Sequence, residues 1–101
     1  MPTYILLSKL TDEGRKVLKG RPDRLAEVNR EIDAMGAQVT AQFAVLGSYD
    51  FVNVVRAPSN EVIARISVEL GSRGTIEITT LPAMEVSEFM ELLSPQNNTS
   101  S

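Results

Sequence analysis

The chain has 101 residues, 43% of them hydrophobic and 23% charged, and a formal net charge of −3. These values predict one globular domain, because a disordered chain has far fewer apolar residues. The sequence contains neither Cys nor His. Their absence excludes disulfides, thiolate nucleophiles and His-ligated haem, and it removes the commonest general base and metal ligand.

The first predicted element is a strand over residues 3–10, which alternate and are rich in β-prone side chains. Tyr4 and Leu6 fall on one face of this strand. Ile5 and Leu7 fall on the other, so both faces are apolar.

A helix is predicted next, between Pro22, which suits the first helical position, and Gly36, which suits the position after the helix end. Before it, Thr11 and Asp12 can cap a first helical turn directly after the strand. The helix carries one apolar stripe, formed by Leu25, Val28, Ile32 and Met35. The rest of its surface is charged.

Two strands joined by a tight turn are predicted over residues 37–47 and 49–56. Gly47–Ser48 marks the turn, because Gly tolerates the positive φ that hairpin turns require. On the first strand one face carries Val39, Ala41, Phe43 and Val45, and the other carries Thr40, Gln42, Ala44 and Leu46. On the second strand one face carries Phe51, Asn53 and Val55, and the other carries Val52, Val54 and Arg56.

The C-terminal part predicts a helix, a strand and a short terminal helix. The first helix begins at residues 58–60, which include two candidate N-caps, and ends at Gly71. A weaker strand follows over residues 74–81 and is broken by Pro82. The terminal helix is expected over residues 85–93.

The predicted element order is strand–helix–strand, a hairpin, strand–helix–strand and a terminal helix. Two right-handed crossover units joined in this way give a four-stranded antiparallel sheet with both helices on one face. The sequence therefore predicts one α+β, ferredoxin-like domain over residues 1–93. Residues 94–101 are polar and are expected to form a disordered tail.

Three of the predicted strands are apolar on both faces, and the helices can cover only one set. In water the other set would exceed the few hundred Å² of apolar patch that monomers usually expose. Burying a large apolar side chain contributes roughly 1.5–3 kcal/mol, so about six of them give a gross driving force on the order of 10 kcal/mol. We therefore expect a homo-oligomer in which a second copy covers this face. The alternative is that the terminal helix folds back over part of it.

At residues 47–50, Gly-Ser-Tyr-Asp, the chain resembles the GYD domain family of small bacterial and archaeal proteins, named for a Gly-x-Tyr-Asp segment. The resemblance rests on residues 4–7 leading to 11–14, Gly36, residues 47–52, and residues 70–75 leading to 79–81. It implies the dimeric α+β barrel superfamily, in which two ferredoxin-like sheets pair into a barrel. It implies no established activity. Several relatives in that superfamily, which include haem-binding proteins and monooxygenases, rely on a His that this chain lacks.

Two candidate ligand-binding residues, Tyr49 and Asp50, follow the predicted turn. Asp50 can act as a base or a ligand acceptor, with Tyr49 as the hydrogen-bond donor. Alternatively, Asp50 accepts hydrogen bonds from backbone N–H groups of the turn and Tyr49 packs on the sheet.

Three further ligand-binding candidates are Tyr4, Asn53 and Arg73. Tyr4 belongs to a strand predicted to be central, where its hydroxyl can orient a ligand or find a backbone partner. Asn53, like Gln42, is polar among apolar strand residues and can line a pocket or occupy an edge. Arg73 belongs to a Gly-rich loop that can present N–H groups to an anion, although the preceding helix C-terminus disfavours anions. Alternatively, the glycines of this loop serve only as a helix cap and a turn.

Other kinds of site and partner have no support in the sequence. No metal-ligand spacing, phosphate-binding loop, dinucleotide fingerprint or serine triad is present, so neither a metal nor a cofactor is expected. The acidic balance argues against nucleic acid. Without a secretory signal or an apolar run of about 20 residues, the prediction is a cytoplasmic protein that does not enter membranes. The basic run from Lys9 to Arg24 can serve an acidic partner or form a solvated helix face.

Two functions are compatible with these features. The first is a non-catalytic, self-associating module that binds a small ligand or a protein partner. The second is a cofactor-free enzyme, monooxygenase- or isomerase-like, in which Asp50, Tyr4 or Tyr49 activates an organic substrate in an apolar pocket. The enzyme needs a closed cavity on the order of several hundred Å³ in which at least two of these groups converge.

Overall fold

The structure, a computed structural model, describes residues 1–95. These residues form four strands and four helices in the order β1 (Thr3–Leu10), α1 (Asp12–Gly20), α2 (Arg24–Ala34), β2 (Gln38–Ala44), β3 (Phe51–Arg56), α3 (Asn60–Gly71), β4 (Ile76–Ala83) and α4 (Val86–Leu92). From position 96 onward, the tail predicted over residues 94–101 lies outside the described residues.

The four strands form one antiparallel sheet in the order β2–β3–β1–β4. β1 is central, because β3 pairs along one of its sides and β4 along the other. The chain from β1 to β2 and the chain from β3 to β4 each join two strands that have a third strand between them. This is the split β-α-β arrangement of ferredoxin-like folds, so the predicted fold is confirmed.

The hydrophobic core lies between the sheet and helices α2 and α3. Burial alternates along β1, where Tyr4 and Leu6 are buried and Ile5 and Leu7 are half-buried on the opposite side. The predicted faces of this strand are therefore confirmed. The core is completed by Ile32, Val55, Ile63, Ile66 and Leu70.

Two helices, rather than one, connect β1 to β2. A single capped turn was predicted at Thr11–Asp12, but α1 is a complete helix of nine residues. Thr11 caps it, because its Oγ1 accepts a hydrogen bond from the Gly14 N–H at 3.1 Å. The prediction was wrong because α1 contains two glycines and only one apolar pair, Val17 and Leu18. Because glycine has a low helix propensity and one pair is a small apolar face, the sequence favours a helix here only weakly.

The connection between β2 and β3 is also longer than predicted. The Val45 N–H donates a hydrogen bond to the Asp50 carbonyl at 2.8 Å, which closes a loop of four residues between them. The predicted two-residue turn at Gly47–Ser48 was therefore wrong in length. Gly47 has a φ of +117°, so the turn does require a glycine at this position.

A β-bulge interrupts the predicted face of β2. The register of β2 against β3 shifts between Val39 and Ala41, which leaves Thr40 as the extra residue. Val39 therefore packs against the core, whereas Ala41 and Phe43 lie on the opposite side. The prediction that these three side chains share one face was wrong, because the bulge changes the phase of the alternation.

β4 continues through Pro82 to Ala83, where a break was predicted. Pro82 lies opposite Tyr4 in the register of β1 and β4. Because β4 is an edge strand with one neighbour, a proline can remain in it without disrupting a second ladder.

In the described part of the chain, no helix buries the other side of the sheet. We call this side the open face, and it is formed by Ile5, Leu7, Ala41, Phe43, Val52, Val54 and Leu81. Phe43 is 57% exposed and Leu81 is 43% exposed. α4 buries none of its own residues, so the alternative that the terminal helix folds back to cover this face was wrong.

Candidate functional site

Loops that carry the sequence motifs meet at the C-terminal end of β1. The Thr11 N–H donates to the Thr75 carbonyl at 3.0 Å, and Thr11 Oγ1 donates to the Gly74 carbonyl at 2.8 Å. On the other side of the strand, the Leu10 N–H donates to Asp50 Oδ2 at 2.8 Å. The end of β1 is therefore held both by the loop before β4 and by the loop before β3.

Gly14 allows α1 to approach this end of the sheet closely. A Cβ atom built at Gly14 would lie 1.9 Å from the Thr75 carbonyl oxygen, far inside van der Waals contact. Glycine is therefore required where the start of α1 packs on the loop before β4.

Three of the predicted site residues do not converge. The Asp50 carboxylate accepts a hydrogen bond from the Leu10 N–H of β1, whereas the alternative to ligand binding had expected N–H groups of the turn as its partners. Tyr49 is exposed. The Tyr4 hydroxyl donates to Asn60 Oδ1 at 2.5 Å, at the start of α3. None of these three side chains lines the cavity described next.

A cavity of about 300 Å³ lies between the covered side of the sheet and helices α1 and α2. Most of its wall is apolar, and the main contributors are Leu6, Phe51, Ile78, Val17, Leu25 and Val28. Two predicted site residues, Asn53 and Arg73, line it. The structure thus brings together the one candidate from β3 and the one from the loop before β4.

Arg73 joins an ion-pair network beside the cavity. Its Nη2 donates to Glu31 Oε2 at 2.5 Å and lies 3.6 Å from Glu69 Oε1. Arg24 Nη1 lies 3.0 Å from Glu31 Oε1 and 2.9 Å from Glu27 Oε2. The hydrogen bond from Arg73 holds the pKa of Glu31 below its ordinary value, against partial burial that would raise it. The same bond raises the pKa of Arg73.

Two residues that line the cavity each carry one buried polar atom without a partner among the described residues. These atoms are Asn53 Oδ1 and Arg73 Nη1. Buried polar atoms are nearly always hydrogen-bonded, and leaving one unpaired costs roughly 1–3 kcal/mol. These atoms therefore distinguish the cavity from an ordinary packing defect.

One polar residue of the cavity, Ser8, was missed by sequence reasoning, whereas Gln42 was named as a residue that can line a pocket. Ser8 lines the cavity and is only 2% exposed. Its position was a signal, because a polar residue interrupts the otherwise apolar covered side of β1. Gln42 also lines the cavity, and it exchanges two hydrogen bonds with Asn29 of α2, at 3.0 and 3.3 Å. That pairing gave no signal in the sequence, because the bulge in β2 decides which side Gln42 faces.

The described residues offer no metal centre and no membrane span. Within residues 1–95, no group of three or more acidic side chains is placed so that it could hold a metal ion. None of the helices there has the length and apolar character needed to cross a bilayer.

A second candidate surface combines the open face with α4. The helix exposes an apolar stripe at spacings of three, four and seven residues, formed by Val86, Phe89, Met90 and Leu93. A groove joins the two parts, because it is lined by Thr3, Val54 and Ala83 of the sheet and by Glu85 and Glu88. α4 therefore lies beside the open face, and its apolar stripe is a further exposed apolar surface.

Comparison with known proteins identifies the family. A curated relative, the glutamine synthetase and cystathionine beta-lyase binding protein of Thermus thermophilus, is 47% identical over 94 residues, which cover 92% of this chain and 99% of the relative. No solved structure matches the chain. The GYD domain model matches residues 4–93, which include β2, β3, β4, all of β1 except its first residue, and the motif loops around the end of β1. The resemblance inferred from the sequence is confirmed, and the chain belongs to the GYD domain family.

Proposed function

We propose that this chain is a non-catalytic binding module whose partner is a metabolic enzyme. The likeness to a relative named for binding glutamine synthetase and cystathionine beta-lyase carries this proposal, because it extends over nearly the whole of both chains. The site geometry supports it. Asp50, Tyr4 and Tyr49 lie apart from the cavity, so the cofactor-free enzyme hypothesis lacks the convergent groups that it requires.

The test is direct binding to the two enzymes named in the relative. With this chain immobilised, biolayer interferometry should show saturable binding of glutamine synthetase or cystathionine beta-lyase from the same organism. The control is an unrelated acidic enzyme similar in size to the two test enzymes, and it should not bind. If neither enzyme binds at any concentration at which it stays soluble, the proposal is wrong.

We also propose that the module acts as a homo-oligomer whose subunits meet through the open face. The centre of that face is apolar, and its charged residues, Lys9, Glu77 and Arg56, lie at the ends of the strands. A patch that can bury its apolar centre against its own copy is what a two-fold interface requires. Monomers seldom leave such a continuous apolar surface in water.

The oligomer is tested by light scattering after size-exclusion chromatography. The unaltered chain should elute at a multiple of its 11.1 kDa mass. Phe43→Glu should elute as a monomer, because it places a charge among the apolar residues of the open face at a position that is 57% exposed in the single subunit. Val68→Glu, at an exposed apolar position of α3 on the other side of the molecule, should leave the mass unchanged. A monomeric unaltered chain at micromolar concentration would contradict the proposal.

A further inference from the structure

We infer that the cavity between the sheet and helices α1 and α2 binds a small, uncharged organic molecule with an apolar body and one polar end that both accepts and donates a hydrogen bond, as a carboxamide does. This inference concerns a small-molecule site inside the subunit. It goes beyond the proposed binding of an enzyme and does not depend on it.

The size and wall of the cavity suit such a molecule. Its volume of about 300 Å³ lies at the lower end of the range, about 300–1,000 Å³, in which small-molecule sites occur. Its wall combines aliphatic side chains from the sheet and both helices with Phe51. A mostly apolar wall with a few placed polar groups is typical of a ligand site.

The two unpartnered atoms define the polar end of the ligand. Arg73 Nη1 carries N–H groups that need an acceptor, and Asn53 Oδ1 needs a donor. Both residues line the same cavity. A group with one acceptor oxygen and one N–H or O–H carries both kinds of partner that these atoms lack, whereas a hydrocarbon carries neither.

The charges beside the cavity favour a neutral ligand over an anion. Arg73 is already paired with Glu31 and Glu69, and Arg24, which also lines the cavity, is paired with Glu27 and Glu31. A carboxylate ligand would bring an extra negative charge into an apolar space whose cations already have carboxylate partners, and burying such a charge is costly. A neutral carbonyl oxygen can accept from Nη1 without that cost.

Three probes that share a benzyl group test these claims on the full chain. Phenylacetamide carries the proposed polar end, phenylacetate replaces it with an anion, and toluene lacks it. Each would be titrated into ¹⁵N-labelled protein, following backbone amides around the cavity and the Asn53 side-chain amide.

We expect phenylacetamide to bind at least about tenfold more tightly than toluene, the factor that one hydrogen bond of typical net strength provides. Phenylacetate should bind more weakly than phenylacetamide. If phenylacetate binds more tightly, the site is an anion site and the inference is wrong. If toluene binds as tightly as phenylacetamide, or if no probe shifts the cavity residues because the space holds only water, the inference is also wrong.

Substitutions separate recognition from a structural role. Asn53→Leu removes an oxygen that has no partner within the described residues, so the thermal midpoint should hold or rise while phenylacetamide binding weakens about tenfold and toluene binding does not. Arg73→Lys should also weaken phenylacetamide binding, because lysine keeps the charge but not the geometry of Nη1. Arg65→Lys, at an exposed position of α3 outside the cavity, is the matched control and should have no effect. A lower midpoint for Asn53→Leu with unchanged probe affinities would show that Asn53 is structural, against the inference.

Discussion

Gly14 is the residue whose replacement should damage the fold most sharply. A Cβ at this position would lie 1.9 Å from the Thr75 carbonyl oxygen, and this oxygen also accepts the hydrogen bond from the Thr11 N–H. Neither backbone segment can move without breaking the contact between α1 and the sheet. We expect Gly14→Ala to lower the free energy of unfolding by about 2–3 kcal/mol, measured by urea denaturation at fixed protein concentration.

Gly20, at the end of the same helix, provides the control. A Cβ there would meet nothing within 4 Å. Gly20→Ala should therefore be neutral or should stabilise the chain by up to about 1 kcal/mol, because alanine favours the helix. Equal losses for the two substitutions would show that helix propensity, rather than the close approach to Thr75, explains the glycines of α1.

The site residues show which parts of the structure can be predicted from one sequence. Alternation along β3 correctly placed Asn53 on the same side as Phe51 and Val55, because the period of a strand assigns faces without any long-range information. The partner of Asp50 could not be predicted in this way. Its carboxylate is bonded to the N–H of Leu10, forty positions earlier in the chain, and a contact of that kind depends on how strands pair rather than on local pattern.

At the scale of helices and strands, the same distinction between local sequence pattern and strand pairing explains the errors in the predicted elements. The stripe of α2 is regular and was predicted within two residues at each end, whereas the apolar face of α1 is one pair beside a glycine, and the helix was missed. The bulge in β2 reversed the side assigned to Ala41 and Phe43 relative to Val39. Bulges arise from the twist and pairing of strands, so an apolar pattern on both faces cannot reveal them.

The ion pairs that join α2 to the end of α3 make a pH-dependent contribution to stability. In the folded chain the Arg73 guanidinium lowers the pKa of Glu31, while in the unfolded chain this carboxyl titrates near the ordinary value of about 4.3. The folded state therefore favours the charged form. Its contribution is fully present above the ordinary value and is lost as the pH falls through the lowered pKa.

Replacing Glu31 tests this contribution. Glu31→Gln should lower the free energy of unfolding at pH 7 by up to about 1 kcal/mol, the amount expected of a partly exposed pair. The loss should be smaller at about pH 3, because this is below the ordinary value of about 4.3 and the carboxyl of the unfolded chain then binds a proton. Urea denaturation at both pH values measures the difference, and Asp33→Asn, at an exposed position of α2 outside the network, should show no such change with pH. A loss of the same size at both pH values would contradict the assignment.

At the scale of the whole molecule, the chain exposes two apolar surfaces, which are the open face and the apolar stripe of α4. α4 lies beside the open face across a shared groove, and it buries none of its residues in the single subunit. A helix of seven residues is not stable in water without tertiary contacts, because helix nucleation is unfavourable. We therefore expect the second copy that covers the open face to cover α4 as well, so that folding of α4 and assembly are coupled.

Phe89→Glu tests whether α4 belongs to the oligomer interface. Phe89 is 51% exposed in the single subunit, so the substitution should leave the thermal midpoint of a dilute, dissociated sample unchanged. In the oligomer it removes the burial of a large apolar side chain, which is worth roughly 1.5–3 kcal/mol, and should raise the dissociation constant about tenfold or more. Sedimentation equilibrium measures that constant, with Val68→Glu of α3 as the matched control. If Phe89→Glu associates as tightly as the unaltered chain, α4 lies outside the interface and its apolar stripe must serve another partner, for which the bound enzyme is the first candidate.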